Sequence, residues 1–294
     1  MSDAVDAGQA EIYDRGYRPY NGPRTSVGGS MKAVVVSSIQ RALGLRRKFR
    51  FKIVPLLTIF IAYVPALVFM GVGILLPEEF ASEVVAEYAE YFGLIGIAVT
   101  LFTAFVVPEL MSTDRRTGLF GLYMASPLGK SHYLASKVLA LLGVLLTVTM
   151  FPVLFLLVGY SFTGLGPDGF VNTVELVARI LGSGVLMALF FVLFGMAVST
   201  LTDRQGFASA GIVIVIIASG VLTSVLYEVA EFSAWIQVFN LTALPLDLIA
   251  RLFGEEIAQL EGVSTTLAIG AYVGMCALFL AIIMRGYQRL EVTK

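Results

Sequence analysis

Six apolar runs, each close to twenty residues, decide what this chain can fold into. A bilayer core about 30 Å thick takes about 20 apolar residues of helix. Backbone in lipid must satisfy its own hydrogen bonds, so each run is expected to be a helix. The spans fall near residues 53–76, 91–110, 136–160, 178–201, 206–227 and 264–284. Composition agrees: 57% of the 294 residues are hydrophobic and 14% are charged, against roughly 25% charged in soluble domains. The expected fold is an all-α integral membrane protein with six transmembrane helices. Pro55, Pro65 and Pro152 lie inside spans and read as local kinks.

Two segments precede the spans. Residues 1–33 are polar, and Ile12–Arg24 alternates tyrosine, arginine and turn formers. Pro19, Gly22 and Pro23 oppose a long helix there, and Tyr13, Tyr17 and Tyr20 point to an ordered cytoplasmic segment. Residues 34–52 read as an amphipathic interfacial helix. Val35, Val36, Ile39 and Leu43 fall on one side, and Ser37, Gln40, Arg41 and Lys48 largely on the other. Its basic end, with Arg46, Arg47 and Lys48, suits anionic lipid headgroups. The six-span domain then covers 53–284, and a tail 285–294.

Lysine and arginine set the expected topology. With the N-terminus inside, eighteen of the twenty basic residues lie on the cytoplasmic side, and thirteen of the twenty-one acids lie outside. Both termini are therefore expected to be cytoplasmic. The outer connection 77–90 is acidic and expected to be helical, and Gly164, Gly166 and Gly169 of the next read as a turn. The third, 228–263, is long and apolar, with Trp235, Phe239, Leu244 and Leu248. It is expected to form short re-entrant helices before the last span, because such a surface should not lie free in water. Asn240-Leu241-Thr242 reads as a chance sequon.

Several chemistries lack their residues. One histidine, His132, and one cysteine, Cys276, cannot build a transition-metal cage. No ionisable residue is expected deep in a span; Glu109, Lys137 and Arg179 stand at span edges. That argues against a proton-coupled carrier, which needs a buried titratable group. Gly129-Lys130-Ser131 resembles the end of a P-loop, but Met124 stands where the pattern needs glycine. The chain itself therefore holds no nucleotide, and no nucleic-acid partner is indicated. Gly270 with Gly274, and Gly206 with Ala210, have helix-packing spacing, read first as packing within the chain.

The polar stretch 109–137 concentrates the remaining charge. Ser112, Thr113 and Asp114 offer caps for a short helix beginning near Arg115. Leu119, Leu122 and Tyr123 share one face of it, and Ser126-Pro127 ends it. A short helix held between two spans is a lever for a partner that grips it.

The order of a basic interfacial helix, six spans and the loop motif of Glu109, Asp114, Arg115, Arg116, Gly118, Ser126, Pro127, Leu128, Tyr133 and Lys137 resembles the membrane subunits of ABC-2 type transporters. The resemblance implies a non-catalytic permease of the inner membrane, working in export with a second copy or a paralogue. It implies that the loop is a coupling helix docked on a separate ABC ATPase, with ATP and magnesium on that partner. Glu109, Asp114, Arg115, Arg116, Gly118, Leu119, Leu122, Tyr123, Ser126 and Pro127 are the expected coupling residues. An ion-coupled carrier and a non-transporting scaffold are the alternatives; co-purification of an ATPase separates them from the permease.

Overall fold

A computed structural model describes residues 26–45, 48–49, 52–77, 80, 84–118, 123, 128–254 and 260–288. They form α1 (Val27–Ala42), α2 (Ile53–Leu75), α3 (Tyr88–Leu94), α4 (Gly96–Arg116), α5 (Lys130–Thr149), α6 (Phe151–Phe162), α7 (Gly169–Thr200), α8 (Gln205–Ser224), α9 (Ala243–Phe253) and α10 (Thr265–Gln288). A π-helical turn, Val225–Val229, extends α8, and a 3-10 turn, Ala234–Phe239, precedes α9. Among the described residues there is no strand. Among the described residues, six helices have the length and hydropathy to cross a membrane, with α5–α6 counted as one broken span of 33 residues.

The bundle has a centre and a rim. About 72% of the apolar window of α7 and 67% of that of α4 is buried, against 22% for each of α2, α8 and α10. The central helices therefore supply the core, and the other three turn apolar side chains such as Phe60, Ile214 and Val273 outward. Close approach at the centre depends on small residues. A Cβ on Gly195 of α7 would stand 2.8 Å from Thr103 of α4, and one on Gly184 would stand 2.8 Å from Met150 Cβ. Met150 is the break between α5 and α6, where Pro152 follows and Thr149 Oγ1 donates to the Gly184 carbonyl at 3.1 Å.

Two local expectations change. The interfacial helix was expected over 34–52, but α1 spans Val27–Ala42 and stops at Gly44, whose φ is +66°. There Leu45 N–H donates to the Gln40 carbonyl and Gly44 N–H to that of Arg41, the paired closure that a left-handed glycine permits. The helix packs on α5 and α4 and buries Val34, Ser38 and Ala42; of the expected face, Ile39 and Leu43 pack partly buried against the core, while Val36 is exposed. Lys48 is exposed, and Arg46 and Arg47 lie outside the described residues.

Second, Gly270 and Gly274 have nothing within 4 Å of an added Cβ, and neither has Gly206. These small-residue pairs do not close packing within the chain. The excursion before α10, expected as short helices, contains the 3-10 turn and α9, and α9 packs on α7 and α10. Asn240 Oδ1 caps α9 by accepting from Thr242 and Ala243 N–H at 3.1 and 3.0 Å. Buried Asp247 accepts from Arg251 Nε at 2.6 Å and from Leu260 N–H at 3.2 Å. This clamp ties α9 to the chain entering α10.

Candidate functional site

The functional stretch is built from the end of α4. Ser112, Thr113 and Asp114 were expected to cap a new helix, yet α4 runs through them to Arg116. The hydroxyls fold back along the helix instead: Thr113 Oγ1 donates to the Glu109 carbonyl at 2.6 Å and Thr117 Oγ1 to that of Thr113 at 2.7 Å. The helix ends at Gly118, with φ +69°.

Continuing the helix turns Asp114 inward. Its carboxylate stands 2.5 Å from Lys137 Nζ of α5, and each side chain is about 1% exposed. Tyr133 O–H, one turn before Lys137, donates to Asp114 Oδ2 at 2.8 Å, and Arg41 of α1 pairs with Oδ1. Lys137 also donates to Ser38 Oγ at 3.1 Å. Buried charge is costly unless paired and hydrogen-bonded, and here one anion meets two cations and a hydroxyl.

Arg115 extends the cluster to two more helices. It reaches Asp203 at 3.2 Å and the Ser199 carbonyl, at the end of α7, at 3.3 Å. Its guanidinium lies 5.1 Å from the ring centroid of Tyr287 on α10, within cation–π range. The Tyr287 and Tyr133 rings are 6.0 Å apart. Groups from α1, α4, α5, α7 and α10 thus meet at the root of the segment 117–129.

The expected coupling residues separate into groups. Asp114 is buried and cannot face a partner, and Arg115 is spent on contacts within the bundle. The unbroken α4 replaces the expected cap role of Asp114 with a buried ion pair. Arg116 is exposed at the helix end, and Glu109 is half-buried one turn below Thr113. Tyr123 packs its ring 5.4 Å from Tyr133, and burial raises its hydroxyl above the usual range, with the Asp114 charge adding to the rise. Leu119, Leu122, Ser126 and Pro127 lie outside the described residues.

Lys137 was expected at a membrane edge, and no ionisable group was expected at depth. The structure buries Lys137 and Asp114 together near the facing ends of two long helices, so an edge position is compatible with full burial of the pair. Arg41, Ser38, Asp203 and Tyr287 were missed as site residues. Tyr133 and Lys137 carried a signal, since i and i+4 share one helix face.

A family model described as ABC-2 family transporter protein matches residues 77–285. No curated protein matches the chain. The matched stretch contains Asp114, Arg115, Tyr133 and Lys137 of the cluster, while α1 with Arg41 precedes it and Tyr287 follows it. It covers 209 of the 294 residues, and with six membrane-length helices behind it, the chain belongs to the ABC-2 family of transporter proteins.

Proposed function

We propose that this chain is the permease subunit of an ATP-driven exporter in the cytoplasmic membrane, with both termini inside. A separate ABC ATPase binds ATP, and this chain supplies the pathway and receives the motor's movement. The observation that carries the reading is the Asp114 cluster. It joins α1, α4 and α5 at the root of the segment 117–129, and Arg115 adds α7 and α10. A push on that segment would move these helices as one body, because packed elements shift between discrete arrangements.

The roles divide accordingly. Leu119, Leu122 and Arg116 meet the ATPase. Asp114, Arg115 and Tyr123 pass the movement inward. Glu109 sets the angle of α4 below them. α1 lies at the inner membrane interface, with Arg46, Arg47 and Lys48 toward anionic headgroups. α9 and its neighbouring turns form a re-entrant cap on the outer side.

A second copy or paralogue completes the pathway. The open faces at Gly270 and Gly274 and the outward apolar surfaces of α2, α8 and α10 support such pairing. A carrier reading could draw on the buried Asp114–Lys137 pair. Against it, the carboxylate already accepts from Lys137, Arg41 and Tyr133 at one end of the bundle, a structural tether and not a relay.

Co-purification with the ATPase tests the proposal. Leu119→Ala with Leu122→Ala should release the ATPase while leaving the permease folded, because interface energy concentrates in a few buried apolar anchors. Retention of the ATPase at wild-type level would remove this segment as the docking element.

A further inference from the structure

A groove of about 660 Å³ opens between the first turns of α5 and the last turns of α10. Its walls are apolar, chiefly Leu134, Val138, Leu139, Leu280, Ile283 and Met284. At one end stand Lys130 and Gln288, with Lys130 Nζ 3.4 Å from the Gln288 carbonyl. Among the described residues of the lining, Lys130 is the charged one and none is acidic. Arg285, exposed on the turn beside Met284, adds positive charge to the same helix end.

Length and charge together select an occupant. From Lys130 to Leu139 the helix rises roughly 13 Å at about 1.5 Å per residue. One leaflet of a core about 30 Å thick is about 15 Å deep. The groove therefore runs from a cationic mouth at the membrane edge through about one leaflet of apolar wall. We infer that it holds one anionic phospholipid of the cytoplasmic leaflet, with the headgroup phosphate at Lys130 and acyl chain along α5 and α10. The placement in that leaflet rests on the proposed topology; the class of ligand rests on the groove. A second copy of the chain would need no cation at the mouth, and a free anion would need no apolar wall.

The site borders the cluster. Tyr287 forms part of the groove wall and also contacts Arg115 and Tyr133. A lipid seated there would brace the end of α10 against α5, beside the residues that receive the motor's movement.

Native mass spectrometry of the full chain, released from detergent, tests the inference with dioleoyl phosphatidylglycerol, dioleoyl phosphatidylcholine and glycerol 3-phosphate as probes. The wild type should keep one phosphatidylglycerol under activation that strips phosphatidylcholine. Lys130→Gln should lower that occupancy about fivefold, in line with one basic group at an anionic headgroup. Ala135→Trp, which fills the groove, should abolish it, while Lys32→Gln on α1 should leave it unchanged. Equal retention of the two phospholipids, or full retention by Lys130→Gln, would overturn the site. Displacement of phosphatidylglycerol by equimolar glycerol 3-phosphate would show that only an anion is read, and would also overturn it. Loss of a dimer in Ala135→Trp with lipid occupancy unchanged would assign the groove to a second copy instead. Loss of the lipid in both groove variants with ATPase docking retained supports the inference, and ATPase docking can fail in the Leu119/Leu122 variant without touching it.

Discussion

Lys137 Nζ stands 2.5 Å from the carboxylate of Asp114, with both side chains withdrawn from solvent and drawn from helices separated by the segment 117–129. A pair buried this deeply adds little net stability over a well-packed apolar one. Breaking it from one side strands a charge, at a cost of about 3–5 kcal/mol. Lys137→Met should therefore lower thermal stability in detergent sharply, since Asp114 keeps only Arg41 as a cation partner. Adding Asp114→Asn to Lys137→Met should recover part of the loss. A double variant as unstable as the sum of the two singles would mean that the groups do not act as a pair.

Arg115 and Arg116 are neighbours with opposite surroundings. Arg115 is held by Asp203, the Ser199 carbonyl and Tyr287, whereas Arg116 is exposed. Arg115→Ala should leave ATPase co-purification intact and reduce the change in hydrolysis rate that the permease imposes. Arg116→Ala should weaken co-purification by a modest factor, because rim charges contribute less than buried anchors. Pull-down yield and ATP hydrolysis, measured side by side, would separate the two. Equal effects on both readouts would remove the distinction.

Small residues divide in the same way. A Cβ at Gly184 would meet Met150 Cβ at 2.8 Å and its Cα at 3.2 Å, atoms that cannot swing aside. Gly184→Ala should cost about 1–3 kcal/mol, the usual penalty of overpacking. Gly270→Ala and Gly274→Ala meet nothing within 4 Å and should leave the melting temperature of the single chain unchanged. The comparison is a thermal shift assay in detergent, and a destabilised Gly270→Ala monomer would contradict it.

The basic stretch after α1 gives a membrane prediction. Replacing Arg46, Arg47 and Lys48 together with Gln should weaken membrane assembly, since each basic group near an anionic leaflet contributes about 1 kcal/mol. Protease protection and expression level in membranes would read the effect. Wild-type values in the triple variant would count against interfacial anchoring.

The spans were legible because lipid demands length and hydropathy, which a linear reading measures directly. Each of the six runs lies largely within a membrane-length helix, though α7 starts nine residues before its expected run and α4 ends six residues after. The end of α1 was also written in the chain, at Gly44, but a basic amphipathic pattern running past it masked the stop. Asp114 was harder. Beside Ser112 and Thr113 it has the composition of a helix cap, and only the position of Lys137 and Tyr133 across the bundle makes an inward carboxylate favourable. Arg41 lies 73 residues from Asp114, a separation over which no periodicity speaks. Gly270 and Gly274 had the spacing of a contact, but spacing does not say which neighbour, if any, fills the gap.

On the proposed function, the Asp114 cluster transmits the motor's movement to the bundle. The most direct test is the reconstituted complex of this chain with its ATPase, carrying Asp114→Asn together with Lys137→Gln so that both buried charges vanish at once. The measurement is the ATPase's hydrolysis rate with and without the permease, alongside the amount of ATPase retained. The double variant should retain the ATPase at wild-type yield and lose the permease-dependent change in rate. A double variant that retains both at wild-type level would contradict it.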